Sequence, residues 1–387
     1  MSKASSVTHM GTLGLFTGIP QYENFCRLKD MMNSREMAAA KRPHQFREGV
    51  RMVLPAEYEF EGRRRRLANL IEDTHTSALF VLQDGEVRFE RYWLTGGRDV
   101  HWISFSVAKS FVSALVGIAI SEGFISSIEE PITAYLPILV GSGYEDVRIK
   151  DVMQMSSGAR WNEDYSDPTS EIFKMRAALL PGGSLDEFLK SVVGDTKPGT
   201  MCRYASADTQ ALGLLITETT GCSLSEYMQK KLCEPLGMES PGYWLLDGRG
   251  REMAYAGLNL TARDFAKIGE LYRNKGVWEE RQVVPAEWVA ASTKADAPHL
   301  APGRPVVGDH TMPMGYGYQW WLPDGDEGEF SGIGIYNQFV YVDPSRRVVI
   351  VKLSANPLFG TSGGEKTQRD VENIEALRAI ARSLDRQ

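Results

Sequence analysis

The sequence predicts an α/β (α+β) fold in which an antiparallel sheet flanked by helices is joined to a helix-rich lobe. Strand-like runs gather in two distant parts of the chain, at 76–93 and at 316–354. Helical patterns punctuated by Gly and Pro fill the stretch between, about 125–300. One helical pattern, beginning at Ser106, is apolar around nearly its whole circumference and therefore belongs in the interior. A sheet built from both chain halves, with the middle packed beside it as a second lobe, leaves a cleft of the kind that binds ligands.

The elements follow in order. Residues 1–65 are mixed and Met-rich without clean periodicity, and are expected to form an N-terminal extension wrapping a main domain of residues 66–387. The short apolar patch at 13–16 is interrupted by Gly14 and does not read as a secretory signal. No run approaches the ~20 apolar residues of a membrane span, so the expected location is the cytoplasm. A charged helix is expected over 62–74, with Arg63-Arg64-Arg65-Arg66 on its solvated face. The runs 78–82 and 86–92 flank Asp84-Gly85, residues that tolerate the positive φ of a tight hairpin turn, so they read as a hairpin. The buried helix covers 106–122 and closes at Gly123. Further helices are expected at 184–193, 208–220, 224–232, 261–275 and 285–293, strands at 318–322, 335–342 and 348–353, and a last helix at 370–384.

Composition excludes several classes. A chain of 387 residues with 43% apolar residues can bury a sizeable core. Its net charge of -7 argues against a partner with a phosphate backbone. The four cysteines have no paired spacing and the six histidines are scattered, so neither a disulfide framework, a metal site nor a cofactor is expected.

Three segments can carry chemistry. Ser106-Val107-Ala108-Lys109 places a hydroxyl and an amine at i and i+3, on one face of a helix. A serine is a poor nucleophile until a neighbour takes its proton. A lysine desolvated at the start of a buried helix has its charged form disfavoured and can be that base. The Ser106 amide, in the first turn, can face an oxyanion. A Ser-x-x-Lys alone is a weak signal, since roughly one arises by chance in such a chain; the apolar helix behind it is what gives it weight. Second, Tyr204 follows the Pro198-Gly199 turn in an extended piece before a helix. A tyrosine near a cation loses its proton more easily and can serve as acid or base, although a core tyrosine would look the same. Third, Ser331-Gly332-Ile333-Gly334-Ile335 puts two glycines in a strand-like run, where another backbone or a ligand can come close or the chain can bulge.

In this order the three segments resemble the penicillin-recognising serine hydrolases: class C β-lactamases, D,D-peptidases, family VIII carboxylesterases and 6-aminohexanoate-dimer (nylon-oligomer) hydrolases. The resemblance spans roughly residues 75–355 and includes Val152-Met153-Gln154-Met155-Ser156-Ser157-Gly158, similar to the family's L-L-x-H-x-S-G turn. Asn162-Glu163-Asp164-Tyr165-Ser166-Asp167-Pro168, Thr261-Ala262-Arg263-Asp264 and residues 331–335 look like the nylon-oligomer branch. The resemblance implies a β-lactamase/transpeptidase-like fold, with Ser106, Lys109 and Tyr204 catalytic. It also implies an oxyanion hole from the Ser106 and Ile335 amides, Tyr165 on a mobile loop over the cleft, and Trp321 and Gly334 lining it. Two departures stand out. Ser331-Gly332-Ile333 replaces the family's Lys-Thr-Gly, removing a cation that typically holds a β-lactam carboxylate. Tyr204-Ala205-Ser206 replaces Tyr-x-Asn, with a shorter polar side chain at its third position.

The expected activity is acyl transfer from a small ester or amide through Ser106, with carboxylesterase favoured and a 6-aminohexanoate-dimer-type amidase as the alternative. Near Tyr165 the chain offers Glu171 but also Lys174 and Arg176, and at the expected cleft wall Tyr255, a combination not tailored to a substrate with an ammonium end. The rival from another class is a non-catalytic acyl-binding sensor; a cell-wall D,D-peptidase is a further enzymatic rival, disfavoured by the expected lack of an export signal. No nucleic acid or membrane partner is expected, and a homo-oligomer is left open.

Overall fold

The computed structural model describes residues 20–386; the patch at 13–16 lies outside them. An eight-stranded sheet runs in the order Met314–Tyr316, Trp321–Pro323, Phe330–Gly334, Gln338–Asp343, Val348–Ser354, Thr76–Gln83, Glu86–Tyr92, Arg47–Glu48. The chain halves meet where Val348–Ser354 pairs antiparallel with Thr76–Gln83, Ile350 opposite Val81. The Asp84-Gly85 turn has φ of 53° and 75°, as a tight hairpin requires. The edge strand Arg47–Glu48 runs parallel to its neighbour, so the sheet is antiparallel through seven strands and mixed at one edge.

Gln338–Asp343 and Val348–Ser354 are buried at every position, because helices cover the sheet. The helix Ala262–Arg273 packs on both strands and on Thr76–Gln83. Thr261 caps it by accepting from the Asp264 amide. Arg263, 2% exposed, pairs with Glu90 at 2.5 Å and with Glu48 at 3.3 Å, tying the helix to the far edge of the sheet. The Thr-Ala-Arg-Asp motif is thus a fold-holding unit. The helix Ala108–Ser121 is buried along almost its length and packs against Ser206–Thr220, the first long helix of the second lobe.

Three sequence expectations need correction, the smallest at 318–322, where Tyr318, Gln319 and Trp320 connect the strands Met314–Tyr316 and Trp321–Pro323. The stretch 62–74 is not one helix: Arg63–Arg66 is a strand paired with Glu57–Phe60, and the helix is Leu67–Asp73. Glu61 and Gly62 have φ of 52° and 70°, a second tight turn. Opposite charges then face each other across the pair, Glu57 with Arg66 and Glu59 with Arg64. The run 335–342 is also not one strand, since Tyr336 and Asn337 take left-handed backbone and turn Phe330–Gly334 into Gln338–Asp343.

Residues 20–65 contribute strands to the eight-stranded sheet and to a smaller one. The strand Ser34–Met37 joins Gly242–Leu245 in a separate four-stranded sheet, and the short helix Tyr22–Phe25 buries Phe25 in the core.

Candidate active site

Ser106 lies in a 3₁₀ turn, Phe105–Val107, that feeds the helix Ala108–Ser121. The residue before it, Phe105, has φ of 43°, a conformation a bulky residue adopts only under constraint. The strand Phe330–Gly334 passes directly against this turn. A Cβ on Gly334 would stand 2.5 Å from the Ser104 carbonyl oxygen and 3.1 Å from the Ser106 nitrogen, so only glycine permits the approach. Of the two sequence readings for these glycines, close approach of another backbone is what the fold contains, and that backbone is the start of the Ser106 helix.

Lys109 is 1% exposed, and burial pushes its amine down to about 8, opposed by the Glu163 charge. Its nitrogen lies 3.0 Å from Ser106 Oγ, 3.2 Å from Ser206 Oγ and 2.9 Å from the Tyr255 carbonyl oxygen. These partners can be counted against the chemistry of an amine. The Tyr255 carbonyl can only accept. Ser206 Oγ donates its own proton to Glu163 Oε1 at 2.6 Å, so towards Lys109 it too accepts. A neutral amine has two N–H bonds and one lone pair. The two N–H bonds are used by Tyr255 and Ser206, which leaves the lone pair facing the Ser106 hydroxyl.

Glu163 is 1% exposed and fully satisfied. Oε1 accepts from Ser206 Oγ and from Tyr165 OH at 2.7 Å, and Oε2 accepts from the Ser206 amide at 3.2 Å and from the Trp161 indole. The short side chain at the third position of Tyr204-Ala205-Ser206 is therefore complemented by a carboxylate reaching in from the 160–170 loop.

Tyr204 is held from three sides. Its ring stacks on Trp321 with centroids 5.2 Å apart, meets Tyr316 edge-on, and lies 5.1 Å from Lys109 Nζ. Its amide donates to Val306 O, and the flanking amides of Arg203 and Ala205 donate to Met155 O and Sδ. The 152–158 turn thus braces the tyrosine, with Ser157 Oγ anchored on Asp208 at 2.7 Å. Burial, and after it the Glu163 charge, hold the Tyr204 phenol well above its ordinary range against a smaller lowering from the Ser106 side chain. This is the reverse of the depression expected from a cation neighbour. The cause is the burial that also drives Lys109 towards neutrality.

A cleft with an empty volume of about 460 Å³ opens over Ser106. Tyr165, Tyr204, Trp321, Gly334 and Ile335 line it, and Tyr165 packs on Phe359 across it with centroids 5.6 Å apart. Tyr255 is not in the lining; it is 5% exposed and meets the site through its carbonyl on Lys109. Two carboxylates line the cleft, Glu163 and Asp370, and among the described lining residues there is no Lys or Arg. Asp370 accepts from Asn337 Nδ2 at 3.0 Å, and burial together with Glu365 raises its carboxyl well above the usual range. Sequence reasoning missed Glu163, Ser206 and Asp370 as site residues. Only Ser206 carried a signal, its place two residues after Tyr204.

Comparison with known proteins gives the family and the fold. Residues 64–372 match the family model described as Beta-lactamase. A 6-aminohexanoate-dimer hydrolase from Paenarthrobacter ureafaciens is 33% identical over 305 residues, 75% of each chain. A structure described as a putative 6-aminohexanoate-dimer hydrolase from Bacillus anthracis superposes with a TM-score of 0.84 at 23% identity, covering 100% of this chain and 99% of that one. A family VIII carboxylesterase superposes with a TM-score of 0.61 at 16% identity, covering 82% and 95%. At these identities the two structures establish the fold alone.

Proposed function

Because the chain belongs to the Beta-lactamase family and has the fold of its serine hydrolases, we propose that it cleaves short-chain esters, and small linear amides more slowly, through an acyl-enzyme on Ser106. The observation that carries this reading is the 3.0 Å contact of Lys109 Nζ with Ser106 Oγ beside two acceptors, Ser206 Oγ and the Tyr255 carbonyl, that can take both N–H bonds of the neutral amine.

In the proposed cycle Ser106 Oγ attacks the acyl carbon as its proton passes to Lys109. The carbonyl oxygen becomes an oxyanion held by the Ser106 and Ile335 amides at the cleft floor. Tyr204 remains a neutral phenol at working pH, so its part is to relay a proton to the leaving group and not to act as a free phenolate. Water then attacks the acyl-enzyme by the same route in reverse and frees the acid.

The lining supports neutral acyl groups: its walls are aromatic and aliphatic, and it offers no cation to a β-lactam carboxylate. Poor β-lactam turnover follows. One observation favours a second reading. Asp370, like Glu163 a cleft carboxylate the sequence did not reveal, would receive the ammonium end of a linear ω-amino amide once that cation draws its carboxyl, raised by burial and Glu365, back to the charged form. Initial rates on p-nitrophenyl butyrate, the 6-aminohexanoate linear dimer and a cephalosporin decide between the readings. We expect kcat/KM to fall in that order. A higher value for the dimer than for the ester would make the amidase the right reading. Stoichiometric release without turnover would instead favour the acyl-binding sensor.

A further inference from the structure

We propose that the N-terminal helix Tyr22–Phe25 belongs to the catalytic machinery, with Phe25 a positioning residue that holds both oxyanion-hole amides in register. This rests on the assignment of the Ser106 and Ile335 amides to that hole. Each of those amides has a left-handed aromatic residue beside it: Phe105, with φ of 43°, precedes Ser106, and Tyr336, with φ of 63°, follows Ile335. Neither is a residue type that takes this backbone readily, so the surrounding structure must impose it. The two rings pack on each other with centroids 5.4 Å apart. Phe25, which is fully buried, closes the cluster, 5.1 Å from the Phe105 ring and 5.0 Å from that of Tyr336, edge-on to both. Trp102 supports it from behind at 5.9 Å. The two amides come from parts of the chain more than 200 residues apart in sequence. Phe25 is a single side chain that touches the neighbours of both. Gly334 keeps the two backbones in contact on the cleft side, and Phe25 fixes their relative rotation from the protein side.

An oxyanion hole acts on the transition state more than on bound substrate, so loosening it lowers kcat and leaves KM nearly unchanged. Phe25→Leu and Phe25→Ala are made in the full chain, with Phe46→Leu as a control. Phe46 is a buried aromatic of the same N-terminal segment that packs instead on Phe80 and Trp278. The measurements are kcat and KM on p-nitrophenyl butyrate, the Ki of n-butylboronic acid as a tetrahedral analogue, and the midpoint of the acid limb of the pH profile. We expect Phe25→Leu to lower kcat at least tenfold with KM within twofold. The boronate Ki should rise by a similar factor and the acid limb should stay in place, since Lys109 is untouched. Phe46→Leu keeps kcat and Ki. Should Phe25→Ala fail to fold, the Leu variant carries the comparison. A Phe25→Leu enzyme with kcat and Ki within twofold of the parent, or equal losses in Phe46→Leu, overturns the proposal. A parent enzyme indifferent to the boronate overturns the oxyanion-hole reading beneath it.

Discussion

Among the described residues two buried lysines contact serine hydroxyls, and they differ in what surrounds them. At the cleft, Lys109 lies 3.0 Å from Ser106; inside the sheet, Lys352 lies 2.6 Å from Ser354. Both lysines are nearly inaccessible, at 1% and 3%, and burial lowers the amine of both, Lys352 well below its ordinary range. By burial alone Lys352 is the amine held more firmly in its neutral form. Yet Ser354 is fully buried, its hydroxyl is shared with Thr76 at 3.3 Å, and Lys352 also donates to Thr74 at 3.0 Å. Ser106, by contrast, lines an open cleft beside a tyrosine and two candidate oxyanion donors. A depressed lysine beside a serine is therefore not sufficient. The nucleophile must also reach substrate, and the charge it creates must have somewhere to rest.

The comparison breaks if the two pairs respond alike to mutation. The largest expected effect is on turnover of p-nitrophenyl butyrate. Ser106→Ala should lose ~10⁶-fold, as serine nucleophiles elsewhere do. Lys109→Arg should lose ~10²–10⁴-fold, because a guanidinium stays protonated and cannot act as base. Ser354→Ala and Lys352→Met should keep rates near those of the parent. Comparable losses in the sheet pair would show that the contrast drawn here is wrong.

A smaller effect sharpens the role of Glu163. The base must be neutral, so kcat/KM should rise with pH and reach its half-point near 8, where Lys109 titrates. Glu163 raises that value, so removing its charge with Glu163→Gln should move the acid limb to lower pH; the amide oxygen can still accept from Ser206 Oγ and Tyr165, while the bonds from the Ser206 amide and the Trp161 indole are given up. A limb that stays put, or moves up, would mean Glu163 does not act on Lys109.

The smallest effect concerns stability. Lys352 is depressed when folded and ordinary when unfolded, so the unfolded chain binds the extra proton. Its cost to stability is fully present below the folded value and fades as pH rises to the unfolded value of ~10.4. Chemical denaturation of the parent and of Lys352→Met between pH 7 and 10 should show the parent gaining on the variant as pH rises. A pH-independent difference would mean that Lys352 is charged in the interior.

The sequence carried unequal shares of this picture. Ser106 and Lys109 were legible because a three-residue spacing and an apolar helix are local facts. The Asp84-Gly85 hairpin was legible for the same reason. The same turn chemistry at Glu61-Gly62 was overridden by four consecutive arginines, which have no period and so look as helical as they look extended. Tyr204 stood out through its Pro-Gly turn and through family resemblance. Glu163 meets Ser206 over 43 residues and Ser206 meets Lys109 over 97, and apart from the place of Ser206 two residues after Tyr204 nothing local announces such contacts. Asp370 opens a helix that reads as the ordinary end of a chain, and only folding brings its carboxyl to the cleft. The left-handed backbone of Phe105 carries no compositional signal, because it is imposed by packing.

The contrast between the two pairs comes down to which serine reacts. The intact protein should be treated with a serine-directed fluorophosphonate, digested, and mapped by mass spectrometry. The geometry predicts one adduct per chain, on Ser106, with loss of esterase activity in step with labelling and no adduct in Ser106→Ala. An adduct on another serine, or full activity in a chain labelled at Ser106, would contradict it.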